Sequence, residues 1–535
     1  MQMELLNNQI TRQQGVHSPR QSYWSFPLYL LAENISVPTT VLDFPKWDDF
    51  TRELEKGYTH VGITFIIPNV LKAKRMAEHI RSHHPRITII LGGYGTMLPD
   101  LENTVPHDEI CDKEGVSWLR QYFGEDASAP VVHPAIRGPA YEYIYGYRGK
   151  TKGAVLLTGV GCNNACEFCA TSHKFGKEYM PLLSTGEEIF EACLRSEREL
   201  RSRGFAIIDE NFLKQPVRAR ELLALMEQHG KAYVFNIFSS AEVTVRMGVD
   251  FLVRLGVHMI WIGVESKSNV HAKMKGIRIK ELVRELQDHG IVVNLSAVLF
   301  LDHHDPVSIQ EDIDWTIDLG SDMTQFMNYT PYPCTALYSR LEVADRLKDI
   351  HYRYHHGAGE LNWHHPFMTD PGDHVRILRG AFRKKYEKDG PAVANMALTA
   401  IRGYSRVEAD HRHRQAESME WNMKTLRYEK NENPHLDEFM RMRIRRMQKI
   451  AKNIRPILLP ALAFAPNWKA RKKMLKVMRL YQKTLGWPSP RVILESMVLV
   501  FTGIQEQFRL WSRRLRGYED IVYQPPTRWV NYRNL

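Results

Sequence analysis

The stretch TGVGCNNACEFCATSHK, residues 158–174, holds three of the chain's six cysteines within eight positions. Cys162, Cys166 and Cys169 are separated by three and then by two residues. Three interpretations are open: buried apolar thiols, a zinc site completed by His173, and an iron–sulfur cluster. Zinc sites normally use four protein ligands, and no second cysteine pair is present. Three thiolates on one loop can instead bind three irons of a cubane and leave the fourth iron open for a small molecule.

The pattern Cys-x3-Cys-x-Phe-Cys, with Phe168 before the last cysteine, resembles the signature of the radical S-adenosylmethionine (SAM) enzymes. The resemblance implies that Cys162, Cys166 and Cys169 ligate a [4Fe-4S] cluster whose open iron chelates SAM. It also implies that one electron, from a donor such as flavodoxin or ferredoxin, cleaves SAM and releases a 5′-deoxyadenosyl radical. That radical abstracts a hydrogen atom from the substrate.

One short apolar segment rich in strand-forming residues lies directly before the cysteine loop, and others recur after it. They alternate with stretches of helical periodicity, such as the one that begins at Ser184 or Thr185. Alternation of strands and helices predicts a parallel sheet, which in the resembled family forms a partial (βα)6 barrel. The predicted strands cover residues 154–159, 205–209, 232–238, 258–264, 291–300 and 324–330.

Other segments resemble the radical-SAM subfamily that carries an N-terminal cobalamin-type domain. They are IIDENF, WIGVES followed by MKG, and YTPYPCTALYSRL. This resemblance, over roughly residues 25–345, implies that Glu210 and Glu265 are the carboxylates nearest bound SAM. The alternative is that each caps a strand or pairs with a lysine. Cys334 stands where the subfamily usually has glycine, and it either donates a hydrogen atom to a product radical or only packs.

Residues 25–125 predict a doubly wound α/β unit, because three strand-like segments accompany an amphipathic crossover helix. The unit resembles a cobalamin-binding domain. Gly92 and Gly93 directly follow a strand, and the resemblance implies that they lie against the nucleotide tail of cobalamin. The subfamily's cobalt-binding motif, Asp-x-His-x-x-Gly, is absent. The domain therefore either holds cobalamin without a protein ligand to cobalt or has kept the fold and lost the vitamin.

Helical periodicity replaces the strand pattern after about residue 346. Residues 441–517 contain 19 Lys or Arg and two acids, whereas the whole chain has a net charge of +11. Basic amphipathic sequence of this kind is typical of an anionic membrane surface, with a soluble helical cap and a nucleic-acid interface as alternatives. We expect apolar insertion through the segment 456–466, by Ile457, Leu458, Leu459, Leu462 and Phe464.

The predicted architecture has three parts: a cobalamin-binding-like α/β domain (1–135), a radical-SAM barrel (136–345) and a basic helical region (346–535). The apolar content of 44% is typical of a globular protein, and six cysteines are too few for a disulfide scaffold. We find no signal peptide and no apolar run long enough to span a bilayer. These features predict a cytoplasmic protein that is peripheral at the inner membrane face.

The predicted function is radical-SAM chemistry that functionalises an unactivated carbon, by methylation or C–C bond formation, on a lipid or other hydrophobic substrate. Bound methylcobalamin would make the enzyme a carbon methyltransferase. RNA modification is the rival enzymatic function. A non-catalytic iron–sulfur or metal-binding protein is the third alternative, and it would need the cysteines but not SAM.

Overall fold

The structure, a computed structural model, describes residues 13, 15, 16, 25–138, 143–148, 153–268, 276–417, 419–422, 427–430, 434–516 and 526–532. Of the MKG segment singled out above, only Gly276 lies within these residues.

The strands and helices alternate through the middle of the chain, whereas helices dominate its last third. The strands are β1 (Thr39–Asp43), β2 (His60–Thr64), β3 (Thr88–Gly92), β4 (Glu109–Ile110), β5 (Ile136–Arg137), β6 (Tyr143–Ile144), β7 (Tyr147–Arg148), β8 (Gly153–Leu157), β9 (Gly159–Gly161), β10 (Tyr179–Pro181), β11 (Gly204–Ile208), β12 (Val234–Phe238), β13 (Val257–Glu265), β14 (Val292–Leu299), β15 (Met323–Asn328), β16 (Met419–Asn422), β17 (Arg427–Lys430) and β18 (Arg528–Tyr532). The α-helices cover Phe26–Glu33, Trp47–Leu54, Val70–His83, Leu101–Thr104, Gly115–Tyr122, Ala170–Lys174, Gly186–Leu200, Pro216–Gln228, Ala241–Met247, Val249–Leu255, Ile279–Asp288, Ser308–Asp318, Ala336–Val343, Pro371–Asp389, Ala392–Glu417, Pro434–Ile454, Leu458–Ala463, Trp468–Leu485 and Pro490–Leu515.

The six predicted strands, β8 before the cysteine loop and β11 to β15 after it, are confirmed as parallel neighbours. They lie in the order β15-β14-β13-β12-β11-β8, and β5 adds antiparallel to β8. One face, carrying residues such as Ile260 and Leu295, packs against the surrounding helices in the main core. Helix Gly186–Leu200 begins with a capping box between Thr185 and Glu188, as its sequence predicts.

The N-terminal domain differs from the prediction in one strand. β2, β3 and β4 form a parallel three-stranded sheet, and helices Trp47–Leu54 and Val70–His83 pack on it. β1 does not join that sheet; it pairs antiparallel with β18 from the other end of the chain. An ion pair of 3.3 Å between the buried Asp43 and the partly exposed Arg528 supports this pairing. The sequence around β1 specifies a strand but not its partner, because pairing with β18 depends on residues nearly 500 positions away.

The C-terminal region is helical, as predicted. The segment 456–466, expected to insert into a membrane, instead contacts other parts of the protein. Leu458 is 4% exposed, and the Phe464 ring stacks on Tyr145 at 5.4 Å between centroids. Some of the cations are structural as well: Arg443 is buried and donates to Arg254 O (3.0 Å) and Leu255 O (3.2 Å), at the end of a barrel helix. The expectation that segment 456–466 inserts into a bilayer is therefore wrong, because it packs among the helices.

A search of the described residues for membrane-spanning helices finds none that combines the necessary length with the necessary hydropathy.

Candidate active site

The three cysteines lie on a loop closed at its base by a short antiparallel pair. β9 pairs with β10, so that Gly161 opposes Tyr179 on the two sides of the loop. Within the loop Cys169 N donates to Cys166 O at 3.0 Å, and Ser172 Oγ donates to Cys162 O at 2.5 Å. None of these three cysteines forms a disulfide, and all three are partly exposed. The backbone bonds turn the loop so that the thiols share one region beyond the end of β8.

The arrangement of thiols fits a cubane better than a single ion. In the described part of the chain, no three His, Cys, Asp or Glu side chains converge to hold one metal ion. A cubane does not need such convergence, because each thiolate binds a different iron. Burial raises the pKa of the Cys169 thiol to about 11, and the nearby Cys166, Glu210 and Cys162 charges add to the rise. These contributions place the three sulfurs near one another.

Asp209, at the end of β11, holds both ends of the cysteine loop. It accepts hydrogen bonds from Thr158 Oγ1 at 2.9 Å, just before the loop, and from Tyr179 Oη at 2.7 Å, just after it. Arg218 Nη2 lies 2.5 Å from Asp209 Oδ2, and both side chains are almost fully buried. Arg218 also donates to Thr158 O at 3.1 Å. The buried Asp209–Arg218 pair therefore holds the two ends of the cysteine loop in place.

Glu210, the next residue, lies on the side of Asp209 that faces the cysteine loop. Desolvation and the neighbouring Asp209 charge raise its pKa to about 7, although a hydrogen bond from Thr171 opposes the rise. By surface area, however, Glu210 is exposed to solvent. A carboxylate that is desolvated yet accessible lines a cleft rather than the outer surface.

Glu265 ends β13 in a strained conformation. Its φ is 58°, in the left-handed region, and its side chain is buried. Strain of this kind concentrates at functional sites. The turn that follows is supported by Asp312, which accepts from Lys267 N at 3.2 Å and lies 3.0 Å from His304 Nε2. Burial opposes ionisation of Asp312, but hydrogen bonds from His304 and Ser266 outweigh it and hold its pKa below the usual value.

The N-terminal domain contacts the helix that follows the cysteine loop. Tyr94 Oη and Thr171 Oγ1 share a hydrogen bond of 2.8 Å, and Lys174 Nζ donates to Thr96 Oγ1 at 2.5 Å. Burial is the main reason that the pKa of Lys174 lies below its usual value. The carboxyl end of β3 therefore faces the cysteine loop.

The two glycines predicted to approach cobalamin have different surroundings. A Cβ added to Gly93, whose φ is 84°, would lie 2.7 Å from Phe65 O and Thr64 Oγ1, so the protein's own backbone requires this glycine. A Cβ added to Gly92 would meet only Cys111 Cβ, at 3.9 Å. The space beside Gly92 is therefore open, and this glycine is the one that leaves room for a ligand.

Cys334 lies beyond β15, close to the N-terminal domain. Its Sγ is 3.3 Å from Met97 Sδ, its surface is exposed, and its φ of 67° is one that glycine adopts without strain. The backbone therefore has a conformation that suits the glycine of the resembled subfamily, and the thiol lies beside Met97.

The sheet face opposite the helices is lined by aromatic and amide side chains. Phe238 and Trp261 stack at 5.1 Å between centroids, and Asn294 lies beside Trp261 in register on β14. The buried oxygens Asn294 Oδ1 and Gln325 Oε1 lack hydrogen-bond partners among the described residues. A ligand that is mainly apolar and carries one or two donors would suit this face.

No protein-family model matches the chain. An uncharacterized methyltransferase of Pyrococcus horikoshii is 22% identical over 329 residues, which cover 55% of this chain and 71% of that protein. The radical SAM methyltransferase TsrM of Kitasatospora setae, solved with tryptophan substrate and a SAM analog, superposes with a TM-score of 0.50 and 14% identity, over 72% of this chain and 88% of TsrM. A second TsrM structure, with cobalamin and a [4Fe-4S] cluster bound, gives a TM-score of 0.45 and 15% identity, over 57% and 71%.

The fold resembles that of a radical SAM methyltransferase. The similarity to TsrM at 14% identity concerns the fold alone, and it agrees with the family resemblance of the cysteine motif. The mixed α/β architecture with a largely parallel sheet and a helical C-terminal region is thereby confirmed.

Sequence reasoning singled out Glu210 and missed the residues that position the loop. Asp209 stands in the same DEN segment, and its burial could have been inferred from its place at the end of an apolar strand. Arg218 lies in a helix among other charges, and nothing in its pattern indicates that it is buried. Tyr94 and Thr171 are equally inconspicuous, because their hydrogen bond joins two domains.

Proposed function

We propose that this chain is a radical SAM methyltransferase that uses a [4Fe-4S] cluster, SAM and cobalamin. The observation that carries the proposal is the three-thiol loop beyond the first of six parallel strands, with both its ends hydrogen-bonded to Asp209. Similarity of fold to TsrM supports it, since the TsrM structure that aligns with a TM-score of 0.50 is that of a radical SAM methyltransferase with a SAM analog bound.

Cys162, Cys166 and Cys169 would hold the cluster. When bound, the cluster supplies the electron that activates SAM, and cobalamin supplies a carrier for a methyl group. Glu210 and Glu265 would contact SAM, whose ammonium and hydroxyl groups are donors for carboxylates. Tyr94 and Thr96 would keep the carboxyl end of β3, with the open space at Gly92, against the cysteine loop.

We propose a hydrophobic substrate, with a membrane lipid as the first candidate, and methylation of an unactivated carbon as the outcome. The stack of Phe238 on Trp261 supports an apolar substrate. The unpartnered oxygens of Asn294 and Gln325 would each accept a hydrogen bond from it. The electron donor would be a flavodoxin or a ferredoxin, which suits a reducing compartment such as the cytoplasm.

The proposal is tested with anaerobically reconstituted protein, reductant, cobalamin, methyl-labelled SAM and a lipid extract. We expect SAM consumption and transfer of label to an extractable lipid. Replacement of all three loop cysteines by Ala should abolish both. SAM consumption that is unchanged in the triple variant would refute the radical-SAM assignment. Label recovered only in RNA would show that the substrate is RNA and not a lipid.

The substrate site is tested with Asn294→Leu. Removal of a buried unpartnered oxygen should leave the fold equally or more stable, while the KM for substrate rises about tenfold or more. Because SAM cleavage without substrate does not need Asn294, that background rate should stay the same. An unchanged KM would exclude this face as the substrate site without touching the assignment of the cluster.

A further inference from the structure

The helix Pro490–Leu515 has the reverse of the usual surface-helix pattern, because its large apolar residues face outwards. The residues that it buries are mainly small or polar: Ser496, Leu499, Gly503 and Glu506. Gly503 is required there, because an added Cβ would lie 2.6 Å from the Phe464 ring. In a soluble protein the large apolar residues of a helix normally face the core. Here small residues face the core instead, which lets the helix lie close to its neighbours.

The large apolar residues of this helix face away from the protein. Six of them recur at alternating spacings of three and four, so that they form one continuous stripe. Each exposes between 54% and 65% of its surface. The 26 residues of the helix span about 39 Å at about 1.5 Å per residue. The stripe consists of Leu494, Met497, Phe501, Ile504, Phe508 and Trp511.

An apolar surface of this length marks a contact surface rather than ordinary surface variation. Trp487, just before the helix, is 78% exposed and extends the surface at that end. Phe508 and Trp511 lie against each other, with ring centroids 5.6 Å apart. Tryptophan at the ends of an apolar surface is typical of membrane interfaces.

The charges near this stripe are almost all positive. Helix Trp468–Leu485, which packs with it on helix Leu458–Ala463, contains no Asp or Glu. The two acids of helix Pro490–Leu515 are neutralised, Glu495 by Arg491 at 3.1 Å and Glu506 by Arg509 at 2.6 Å. The exposed cations of helix Trp468–Leu485 are Lys469, Arg471, Lys472, Lys476, Arg479 and Lys483.

We propose that the stripe on helix Pro490–Leu515 lies in the interface of an anionic membrane, parallel to its plane. An amphipathic helix of this kind inserts its apolar face among the lipids, and the surrounding cations are attracted to acidic headgroups. A second copy of the chain fits the surface less well, because pairing would bring two strongly cationic regions together. The inference replaces segment 456–466, which packs inside, as the membrane contact.

This inference does not depend on the proposed chemistry, because membrane binding is measured without SAM. Full-length protein is sedimented with vesicles of phosphatidylglycerol and phosphatidylcholine, and with vesicles of phosphatidylcholine alone. We expect binding to the anionic vesicles that weakens with salt but keeps a salt-resistant part, and at least tenfold weaker binding to the neutral ones.

The decisive variant combines Phe501→Ser, Phe508→Ser and Trp511→Ser. These side chains are exposed, so the fold should persist, and binding to anionic vesicles should fall at least tenfold with loss of the salt-resistant part. The matched control replaces exposed apolar residues elsewhere, with Val343→Ser (90% exposed) and Phe367→Ser (59%), and should bind like the unmodified protein.

Three outcomes would overturn the inference. One is that full-length protein stays in the supernatant at low salt with anionic vesicles, and another is that the triple variant binds as well as the unmodified protein. The third is that the unmodified protein is a dimer by sedimentation velocity, that the triple variant is a monomer, and that neither binds vesicles. The stripe would then be a subunit interface.

Discussion

Arg218 Nη2 and Asp209 Oδ2 lie 2.5 Å apart in a pair that is almost completely shielded from water. The same carboxylate accepts from Thr158 and Tyr179, on the two sides of the cysteine loop. A buried charge pair is costly to break from one side, since the remaining charge is left without its partner. The pair therefore links the stability of the central sheet to the position of the three loop cysteines.

Arg218→Met should lower the free energy of unfolding by about 3–5 kcal/mol, because it leaves Asp209 charged and buried. It should also lower the iron retained after reconstitution, because the loop ends lose their support. Denaturant unfolding of iron-free protein and iron analysis measure the two effects. The double variant with Asp209→Asn should be less destabilised than Arg218→Met alone.

The control for that experiment is the half-exposed pair of Arg254 with Glu227, 2.7 Å apart. Arg254→Met should cost about 1 kcal/mol or less. If Arg218→Met costs no more than this control and keeps its iron, Asp209 does not support the loop.

Glu210 should make both stability and SAM turnover pH-dependent near neutrality. Burial raises the pKa of Glu210 to about 7, above its ordinary value of 4.5, so the folded protein binds the proton more tightly than the unfolded chain. The contribution of Glu210 to the free energy of unfolding should therefore be fully present below about pH 4.5 and be lost as the pH rises towards 7. SAM turnover should rise over about pH 6–8 if the carboxylate form contacts SAM. Glu210→Gln should remove both dependences, and an unchanged pH profile in that variant would assign them to another group.

The open space beside Gly92 predicts a selective loss of cobalamin. Gly92→Val should fold normally, because a Cβ added there meets only Cys111 Cβ at 3.9 Å, and should bind at least tenfold less cobalamin by absorbance after gel filtration. Gly204→Ala, at the start of β11, is the control and should bind normally. Gly93→Ala should instead destabilise the domain itself, because of its close backbone contacts. If Gly92→Val binds cobalamin as the unmodified protein does, the ligand does not lie at this edge.

Cys334 is tested by two substitutions with opposite expectations for stability. Cys334→Gly should raise the free energy of unfolding by about 1 kcal/mol, because glycine adopts the positive φ without strain. Cys334→Ala keeps a Cβ, and with it the strain, so it should not raise the free energy of unfolding. If the thiol donates a hydrogen atom, both variants should lose product formation while SAM cleavage continues. Normal product formation in both variants would leave Cys334 a packing role only.

The sequence predicts much of the central sheet because its signals are local. Each of the six strands is a short apolar run before a turn, and the capping box at Thr185 fixes the start of the first long helix. The cysteine spacing is equally local, so Cys162, Cys166 and Cys169 could be identified without any structure. The pairing of β1 with β18 could not, because it depends on contacts between the two ends of the chain.

Surface exposure was the other quantity that the sequence did not determine. The segment around Leu458 and the helix that carries Phe501 are both rich in large apolar residues, and cations lie near both in the sequence. Only the packing shows that Leu458 is buried and that Phe501 is 60% exposed. Exposure also separates Asp209 from Glu210, although the two are adjacent in the sequence. Asp209 is buried and supports the loop, whereas Glu210 lines the cleft.

The iron content of anaerobically reconstituted protein tests the central claim most directly. The account predicts about four irons and four sulfides per chain, with the absorbance and reduced-state paramagnetic signal of a [4Fe-4S] cluster. Replacing Cys162, Cys166 and Cys169 by Ala should reduce the iron to background, whereas Cys111→Ala and Cys193→Ala should keep it. One tightly bound zinc ion per chain in place of the cluster, or full iron content in the triple variant, would contradict the account.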